Sequence, residues 1–193
     1  MKTVLSAAAL VIAFSGSAVA APVTYQMDPD HTQASFETDH MGGLSIRRGK
    51  FDTTKSGTVV MDREAQTGTV DVTIDAASMN TGIPKLNDHI KSDEMLDVAK
   101  YPTLTYQGKL TKFQNGAPTQ VEGTLTMHGV SKPVTLTIDQ FLCKQHPQKQ
   151  KEVCGADAMA TINRADFGVD YGIKYGFKMD VKVEIQVEAI KAD

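Results

Sequence analysis

From Val23 onward, the chain alternates apolar and polar residues with a period of two. Its clearest stretch, which we predict to be a last strand from about Phe177 to Ala189, has the apolar face Met179, Val181, Val183, Ile185 and Val187. Successive side chains of a strand point to opposite sides, so this pattern predicts strands with one buried and one solvated face. Repeated antiparallel strands bury such faces in a sandwich or in a closed barrel. The sequence therefore predicts an all-β protein, and the alternation alone leaves both architectures open.

One segment departs from the alternation. Residues 85–98 are polar and rich in helix-forming residues, with Leu86 and Ile90 on the apolar side. The Tyr101-Pro102 pair ends the segment, because a residue before proline is disfavoured in helical conformation. We predict a short helical excursion here. Since neither an internal repeat nor a linker is visible, residues 21–193 are predicted to be one domain.

The first twenty residues have the pattern of a secretory signal peptide. Lys2 supplies the positive start, Val4–Phe14 is a short apolar run, and residues 18–20 read Ala-Val-Ala, a small-residue cleavage site. The apolar run is too short for a membrane helix, which needs roughly 20 residues. We therefore predict cleavage after Ala20 and export. An uncleaved anchor is the alternative.

The charge of the chain limits the classes of molecule that it is expected to bind. The formal net charge is −3, and no basic stripe is present, which argues against nucleic acid as a partner. After signal cleavage, no later stretch is long and apolar enough to be an integral membrane segment. The sequence leaves the oligomeric state open, with a homodimer among the options.

The two cysteines, Cys143 and Cys154, enclose a polar loop that contains Pro147. In an oxidising compartment, an even pair this close in sequence indicates a disulfide at the tip of a long hairpin. A redox or metal site is the alternative. The ten-residue spacing matches neither a C-x-x-C redox motif nor a zinc finger.

Catalytic signatures are missing from the sequence. It contains no G-x-S-x-G elbow, no glycine-rich phosphate loop and no dinucleotide fingerprint, and its carboxylates are scattered. His31 and His40 invite a metal hypothesis, but their spacing of nine residues is not a ligand pattern, and structural histidines are the simpler interpretation. We predict no catalytic residues, no metal and no cofactor.

Two pairs of charged residues have an open role. Arg164 and Asp166 are predicted to share one side of a strand and to form a salt link. Arg47 and Arg48 precede Gly49 at a predicted turn. They are either solvated surface residues or contacts for an anionic head group.

Four blocks of sequence, in order, carry a family resemblance. Residues 25–32 read Tyr-x-x-Asp-Pro-x-His-Thr, and residues 88–102 run from an Asp-x-x-Lys-Ser start to Tyr-Pro. Residues 123–134 read Gly-Thr-Leu-Thr-Met-His-Gly-Val-x-x-Pro-Val, and residues 163–168 read Asn-Arg-x-Asp-Phe-Gly. Together these blocks resemble the YceI family of bacterial periplasmic proteins, across essentially the whole predicted mature chain.

The resemblance implies a lipocalin-like antiparallel β-barrel of about eight strands, whose interior holds a polyisoprenoid or a similar long amphiphile. His40 and Arg164 are candidates for contact with the polar head of that ligand. The candidates for the apolar lining, each of which either contacts lipid or plugs the barrel, are Phe36, Leu44, Phe51, Leu104, Tyr106, Leu125, Met127, Phe141 and Phe167.

The leading functional expectation is a periplasmic protein that binds or carries a long-chain isoprenoid lipid. A bound polyisoprenoid or quinone-type lipid would be its ligand rather than a cofactor. Two alternatives stay open at this stage. The first is an enzyme that acts on a lipid or quinone, with His40 or His31 as the base. The second is an accessory protein that supports an envelope partner through its outer surface.

Overall fold

The computed structural model describes residues 21–193, and the predicted signal peptide lies outside the described residues. Within them, the chain forms β-strands, one short α-helix and short 3-10 turns. The strands are β1 Val23–Met27, β2 Gln33–His40, β3 Ser45–Phe51, β4 Thr54–Asp62, β5 Thr67–Asp75, β6 Met79–Asn80, β7 Thr103–Thr111, β8 Gln120–Met127, β9 Val130–Gln145, β10 Glu152–Asn163 and β11 Asp180–Lys191. The helix α1 spans Pro84–Lys91.

Eight of these strands close into an antiparallel barrel. Their order is β1-β4-β5-β7-β8-β9-β10-β11, and the pairing of β1 with β11 completes the circle. The first half of β11 pairs with β2 instead, and β3 and β6 continue from there, so these three strands extend the wall at one end. The structure thus confirms the predicted lipocalin-like barrel of eight strands over a sandwich.

The alternation in the sequence marks the inner face of the wall. On β11, Val181, Val183, Ile185 and Val187 face the interior, as predicted. The predicted start of this strand near Phe177 is wrong, because strand pairing begins only at Asp180. The preceding residues 168–179 form turns, in which Gly168, Gly172 and Gly176 have φ angles of 77°, 92° and 78°. This left-handed conformation is incompatible with an extended strand and is available to glycine without strain.

The helical excursion is confirmed, and its regular part is shorter than the predicted segment. Pro84 occupies the first turn of α1, where its missing N–H removes no hydrogen bond. After Lys91 the chain continues in turns, with the backbone N–H of Asp97 donating to Ser92 O at 2.8 Å. Leu86 and Ile90 face the barrel interior, so α1 lies across one end of it.

The block around Arg164 differs from the prediction. Residues Arg164–Phe167 form a 3-10 helix rather than a strand, and Asn163 caps it by accepting a hydrogen bond from Ala165 N at 3.0 Å. Asn is a favoured cap because its short side chain reaches the free backbone N–H groups of a first turn. The predicted salt link of Arg164 with Asp166 is therefore wrong.

Two groups of buried side chains divide the barrel along its axis. We call the first the closed-end cluster, and its members are Tyr25, Met61, Tyr106, Leu110, Val121, Cys154 and Ala189. We call the second the mouth cluster, and its members are Ala76, Leu104, Met127, Ile162, Phe167, Val169 and Val181. The mouth cluster lies at the end where α1 and the turns of residues 164–179 are found.

The predicted disulfide is confirmed. Cys143 on β9 and Cys154 on β10 are direct cross-strand partners and are covalently bonded. The bond lies near the tip of the β9–β10 hairpin, whose loop carries His146. No helix among residues 21–193 combines the length and the hydropathy needed to cross a membrane.

Candidate functional site

A single elongated cavity of about 480 Å³ occupies the interior of the barrel and touches strands from its whole circumference. Its wall is built almost entirely from aliphatic and aromatic side chains on the inward positions of the strands. This size falls within the range of roughly 300–1,000 Å³ that is typical of small-molecule sites. A long apolar cavity with few polar groups suits a ligand that is itself mostly hydrocarbon.

One end of the cavity is sealed. Tyr25, Met61 and Leu110 line it there and are at most 7% exposed. The Tyr25 hydroxyl donates to Glu152 Oε1 at 2.5 Å, and Arg63 Nη2 donates to both Glu152 oxygens at 2.8 and 3.0 Å. Burial and the bond to Glu152 raise the pKa of Tyr25 to about 12. The polar groups of this end are therefore paired with one another and closed to a ligand.

Tyr106 shows how a polar group is kept out of the cavity. Its hydroxyl lies 3.0 Å from Val121 O and 2.9 Å from Val134 O, so the strand backbone satisfies it. Burial raises its pKa to about 12. Its ring lies over Gly123, where an added Cβ would lie 2.6 Å from Tyr106 Cζ. Any side chain at position 123 would displace the tyrosine, which gives a physical reason for this glycine in the Gly-Thr-Leu-Thr block.

The opposite end, which we call the mouth, carries the polar part of the wall. His40 and Arg47 line the cavity there and are partly exposed. The His40 ring contacts Phe177 edge-on, with the centroids 5.5 Å apart. His89 of α1 contacts Tyr171 in the same way at 4.5 Å. Histidine and arginine side chains at a partly solvated mouth can bind the polar head of an amphiphile.

Arg164 is a buried cation on the cavity wall and is 8% exposed. Its Nη1 donates to Val169 O and its Nη2 to Tyr171 O, both at 2.7 Å. Burial lowers its pKa from the ordinary value, and Asp170 opposes that effect. The guanidinium has five N–H donors, of which these two bonds use two.

The structure places most of the predicted lining residues on the cavity wall. They are Phe36, Phe51, Leu104, Tyr106, Leu125, Met127 and Phe141. His40 and Arg164, the two candidates for the polar head, also lie on the wall.

Two predicted lining residues lie elsewhere. Leu44 is 74% exposed at the β2–β3 turn, so it is not part of the wall. Phe167 is 2% exposed and packs in the mouth cluster behind the wall, because its 3-10 helix turns it away from the cavity. In both cases the residue lies in an irregular segment, a turn for Leu44 and a 3-10 helix for Phe167, rather than at an inward position of a strand.

The other residues that the sequence analysis considered, His31, Arg47 and Arg48, do not lie together at the cavity. His31 lies outside the cavity wall, 3.2 Å from an Asp28 oxygen and with a side chain that is 59% exposed. Arg47 and Arg48 belong to strand β3 rather than to a turn, and adjacent strand positions face opposite ways. Only Arg47 reaches the cavity, whereas Arg48 Nε donates to Glu37 Oε1 on the outer face at 2.5 Å.

Other wall residues are not among the predicted lining residues. Tyr25 and Met61 close one end, and Met95 and Leu96, which follow α1, line the other. The alternation on β4 and β7 marks the strand residues, but the pairing that brings β1 against β4 joins distant segments.

Cys143, Glu152 and Cys154 also approach one another, and the disulfide removes both sulfurs as metal ligands.

Comparisons with known proteins agree with this fold. A profile described as the YceI-like domain matches residues 25–189. A UPF0312 protein of Pectobacterium carotovorum subsp. carotovorum (strain PC1) is 30% identical over 169 residues, which cover 87% of this chain and 86% of that protein.

Two solved structures are similar as well. A YCEI protein of Campylobacter jejuni is 28% identical, with a TM-score of 0.65 over 80% of this chain and 90% of that one. A structure described as a polyisoprenoid binding domain from Saccharophagus degradans has a TM-score of 0.61 and 19% identity, over 88% of this chain and 99% of that one. The second likeness shows the fold alone. The profile match spans nearly all of the described residues, and the chain therefore belongs to the YceI-like domain family.

Proposed function

We propose that this protein is a periplasmic binding or carrier protein that holds one long-chain isoprenoid, or a similar amphiphilic lipid, inside its barrel. The observation that carries the proposal is the elongated apolar cavity, sealed at the Tyr25 end and polar at the His40 end. The description of the Saccharophagus degradans structure as a polyisoprenoid binding domain supports this ligand class.

The apolar wall supplies enough free energy for such a ligand. Burying one methylene group is worth about 0.8 kcal/mol, so a five-carbon isoprene unit contributes roughly 3–4 kcal/mol before ordering costs. Association costs several kcal/mol in lost freedom. A few buried units exceed that cost, which is why the site needs no dense set of polar groups.

The distribution of polar groups supports one direction for the ligand. Glu152 at the sealed end accepts hydrogen bonds from both Tyr25 and Arg63, so the hydrocarbon tail points there. The polar head lies at the mouth, where His40 and Arg47 are partly exposed and Arg164 retains N–H donors. Wall residues such as Phe36, Leu125 and Met127 contact the chain between these ends.

Three features support the periplasmic location. The first twenty residues have the pattern of a cleavable signal peptide. The Cys143–Cys154 disulfide is typical of an oxidising compartment. The sequence blocks resemble those of a family of bacterial periplasmic proteins. Cell fractionation with a cytoplasmic enzyme as marker tests this part, and N-terminal sequencing of the product locates the cleavage site.

A pair of neighbouring substitutions tests lipid binding. Ala158 faces the cavity and Met159 faces outward on the same strand, β10. We expect the wild type to bind an added polyprenol one to one and Ala158→Trp to lower the affinity roughly tenfold or more, since the indole fills the space that the chain needs. Met159→Trp is the control and should bind as the wild type does. The chain has no native Trp, so each indole also reports folding by its own emission.

Equal polyprenol affinity in the two variants, or none in the wild type, would contradict the proposal. Ala156→Phe, another inward position on β10, repeats the test if Ala158→Trp does not fold. The enzyme alternative is tested in the same samples by analysing the recovered lipid. Conversion of the lipid that disappears in His40→Gln would show that binding is not the whole function.

A further inference from the structure

The mouth is surrounded by apolar side chains that face solvent. We call this group the rim patch, and its members are Met41, Leu44, Ile46, Tyr171, Ile173 and Tyr175. Leu44 is 74% exposed and Tyr175 is 60% exposed. Six of the nine large apolar residues that are most exposed among residues 21–193 belong to this patch. Scattered exposed apolar residues are ordinary, but a concentration at one place indicates a surface that is covered in use.

The two segments that carry the rim patch are fastened together. An Asp39 carboxylate oxygen accepts hydrogen bonds from the backbone N–H of Gly42 at 2.9 Å and of Lys178 at 3.0 Å. Gly42 packs so closely on Gly176 that a Cβ there would lie 3.1 Å from its carbonyl oxygen. The β2–β3 turn and the turn at residues 172–176 therefore present their apolar tips as one surface.

The rim patch is continuous with the cavity, because Tyr171 belongs to both. Its side chain lines the mouth and is also 36% exposed, and its ring lies 6.5 Å from that of Tyr175. Tyrosine is enriched where proteins meet the membrane interface, since its ring is apolar and its hydroxyl polar.

The charge of the rim differs from that of the whole chain. Residues 39–48 and 170–178 together hold four basic and two acidic side chains, whereas the chain as a whole has a net charge of −3. Arg48 is paired with Glu37, which leaves Arg47, Lys174 and Lys178 as the basic side chains of the rim. Lys174 lies beside the exposed ring of Tyr175, with its Nζ 5.0 Å from the ring centroid. Lysine is depleted from protein–protein interfaces, while lysine and arginine near an apolar insertion are attracted to anionic lipid headgroups.

We infer that the rim patch docks on the surface of an anionic lipid bilayer, so that the lipid moves between membrane and cavity without crossing water. This inference rests on the proposed lipid-binding function. Each methylene group exposed to water opposes transfer by the same free energy that favours its burial, so a long chain needs a continuous apolar path. Contact between the mouth and the membrane provides that path.

Vesicle co-sedimentation tests the docking. The protein is expressed with its own N-terminus and purified as the cell processes it, so all variants share that terminus. The vesicles are phosphatidylethanolamine with phosphatidylglycerol, or phosphatidylcholine alone. We expect the double variant Leu44→Ser, Ile173→Ser to bind the anionic vesicles roughly tenfold or more weakly, because two inserting side chains are lost. Leu142→Ser, an equally exposed apolar position on β9, should bind as the wild type does.

Reversing the charge of two lysines measures the electrostatic contribution to vesicle binding. Lys174→Glu with Lys178→Glu should remove the preference for phosphatidylglycerol, as should high salt, because surface charges are screened. The proposal is overturned if the wild type does not sediment with anionic vesicles, or if Leu142→Ser loses as much binding as the rim variant. It is also overturned if the rim variant converts a wild-type dimer to a monomer, since a second copy then covers the patch.

Polyprenol binding in detergent solution, without vesicles, is measured alongside. Rim variants should retain it, because Leu44 and Ile173 lie outside the cavity wall. A wild type that binds polyprenol but not vesicles contradicts only the docking. A wild type that binds no polyprenol contradicts the proposed function itself.

Discussion

The two ends of the barrel are built on different principles. At the sealed end, regular strands meet, Tyr25 is buried, and Glu152 joins Tyr25 to Arg63. At the mouth, the wall is completed by α1 and by the turns of residues 164–179, and apolar side chains face solvent. The polar groups of the first end bond to each other, whereas Arg164 at the second donates to backbone carbonyl groups.

Because of this difference, we assign the stability of the fold mainly to the sealed end and the access of a ligand to the cavity to the mouth. Side chains that are buried and paired on regular strands can contribute to stability but cannot exchange a ligand. Turns that depend on a few backbone hydrogen bonds open at lower free energy than packed strands do. We therefore expect substitutions at the sealed end to lower the global stability, and substitutions at the mouth to act locally.

The largest expected effect is at Tyr25. Tyr25→Ala removes a buried aromatic ring and its bond to Glu152, and we expect a loss of about 3–5 kcal/mol in the free energy of unfolding. Tyr175→Ala, at the mouth, is the matched control and should change it by less than about 0.5 kcal/mol. Urea denaturation followed by circular dichroism measures both. Similar losses in the two variants would break the distinction between the ends.

The disulfide comes next. Replacing Cys143 and Cys154 together by Ala should lower the free energy of unfolding by about 3 kcal/mol, since the bond restricts the unfolded chain. Affinity for a polyprenol should change little, because the cross-strand pairing of β9 and β10 remains. Chemical denaturation and a binding titration check the two parts. A large loss of affinity with an unchanged free energy of unfolding would show that the disulfide serves ligand binding rather than stability.

The next expected effect is local and concerns Arg164 at the mouth. Arg164→Lys loses the planar pair of bonds to Val169 and Tyr171, and hydrogen bonds to charged groups are worth about 1.5–3 kcal/mol. We expect faster amide exchange in residues 168–176, measured by hydrogen–deuterium exchange with mass spectrometry. Strands β1 and β4 at the sealed end should keep their protection. Uniformly faster exchange over the barrel would mean that Arg164 supports the whole fold.

The smallest expected effect concerns pH and Glu152. Burial raises the pKa of this carboxyl, but hydrogen bonds from Tyr25 and Arg63 outweigh it and hold the pKa below the ordinary 4.5. The stabilisation from the lowered pKa is therefore present above pH 4.5 and is lost as the pH falls through the folded-state value. At pH 7, Glu152→Gln should cost up to about 1 kcal/mol, since the group is partly solvated.

Unfolding experiments at several pH values test this. The difference between the wild type and Glu152→Gln should shrink on acidification. A difference that stays constant down to pH 2 would show that the carboxylate charge is not what matters.

The regular part of the fold could be predicted because it depends on local pattern. The inward faces of β8, β9 and β11 follow directly from alternation, and the disulfide follows from two cysteines around a polar loop. Barrel closure could not be derived in this way. The pairing of Tyr25 with Lys191 joins the two ends of the described chain, and the sequence carries no local signal for it.

Most errors in the site concern residues that lie in irregular segments. Leu44 and Phe167 are predicted lining residues and Arg164 is predicted on a strand, but glycines such as Gly42 and Gly168 adopt positive φ angles and redirect the chain near them. For Arg164 the irregular backbone also changes the bonding partners. Its guanidinium donates to backbone carbonyl groups instead of pairing with Asp166. Irregular segments depend on tertiary contacts, and for this reason the mouth was less predictable than the wall.

The most direct test of the central claim uses methionine methyl groups as reporters of depth. Met61 lies in the closed-end cluster, Met127 in the mouth cluster, and Met159 faces outward. In protein with ¹³C-labelled methionine methyls, NMR spectra are compared before and after adding one equivalent of a polyprenol. The account predicts shifts of the Met61 and Met127 signals, with contacts from the tail methyls of the lipid to Met61, and no shift at Met159. Shifts confined to Met159, or no change at Met61, would contradict a lipid held in the barrel with its tail at the sealed end.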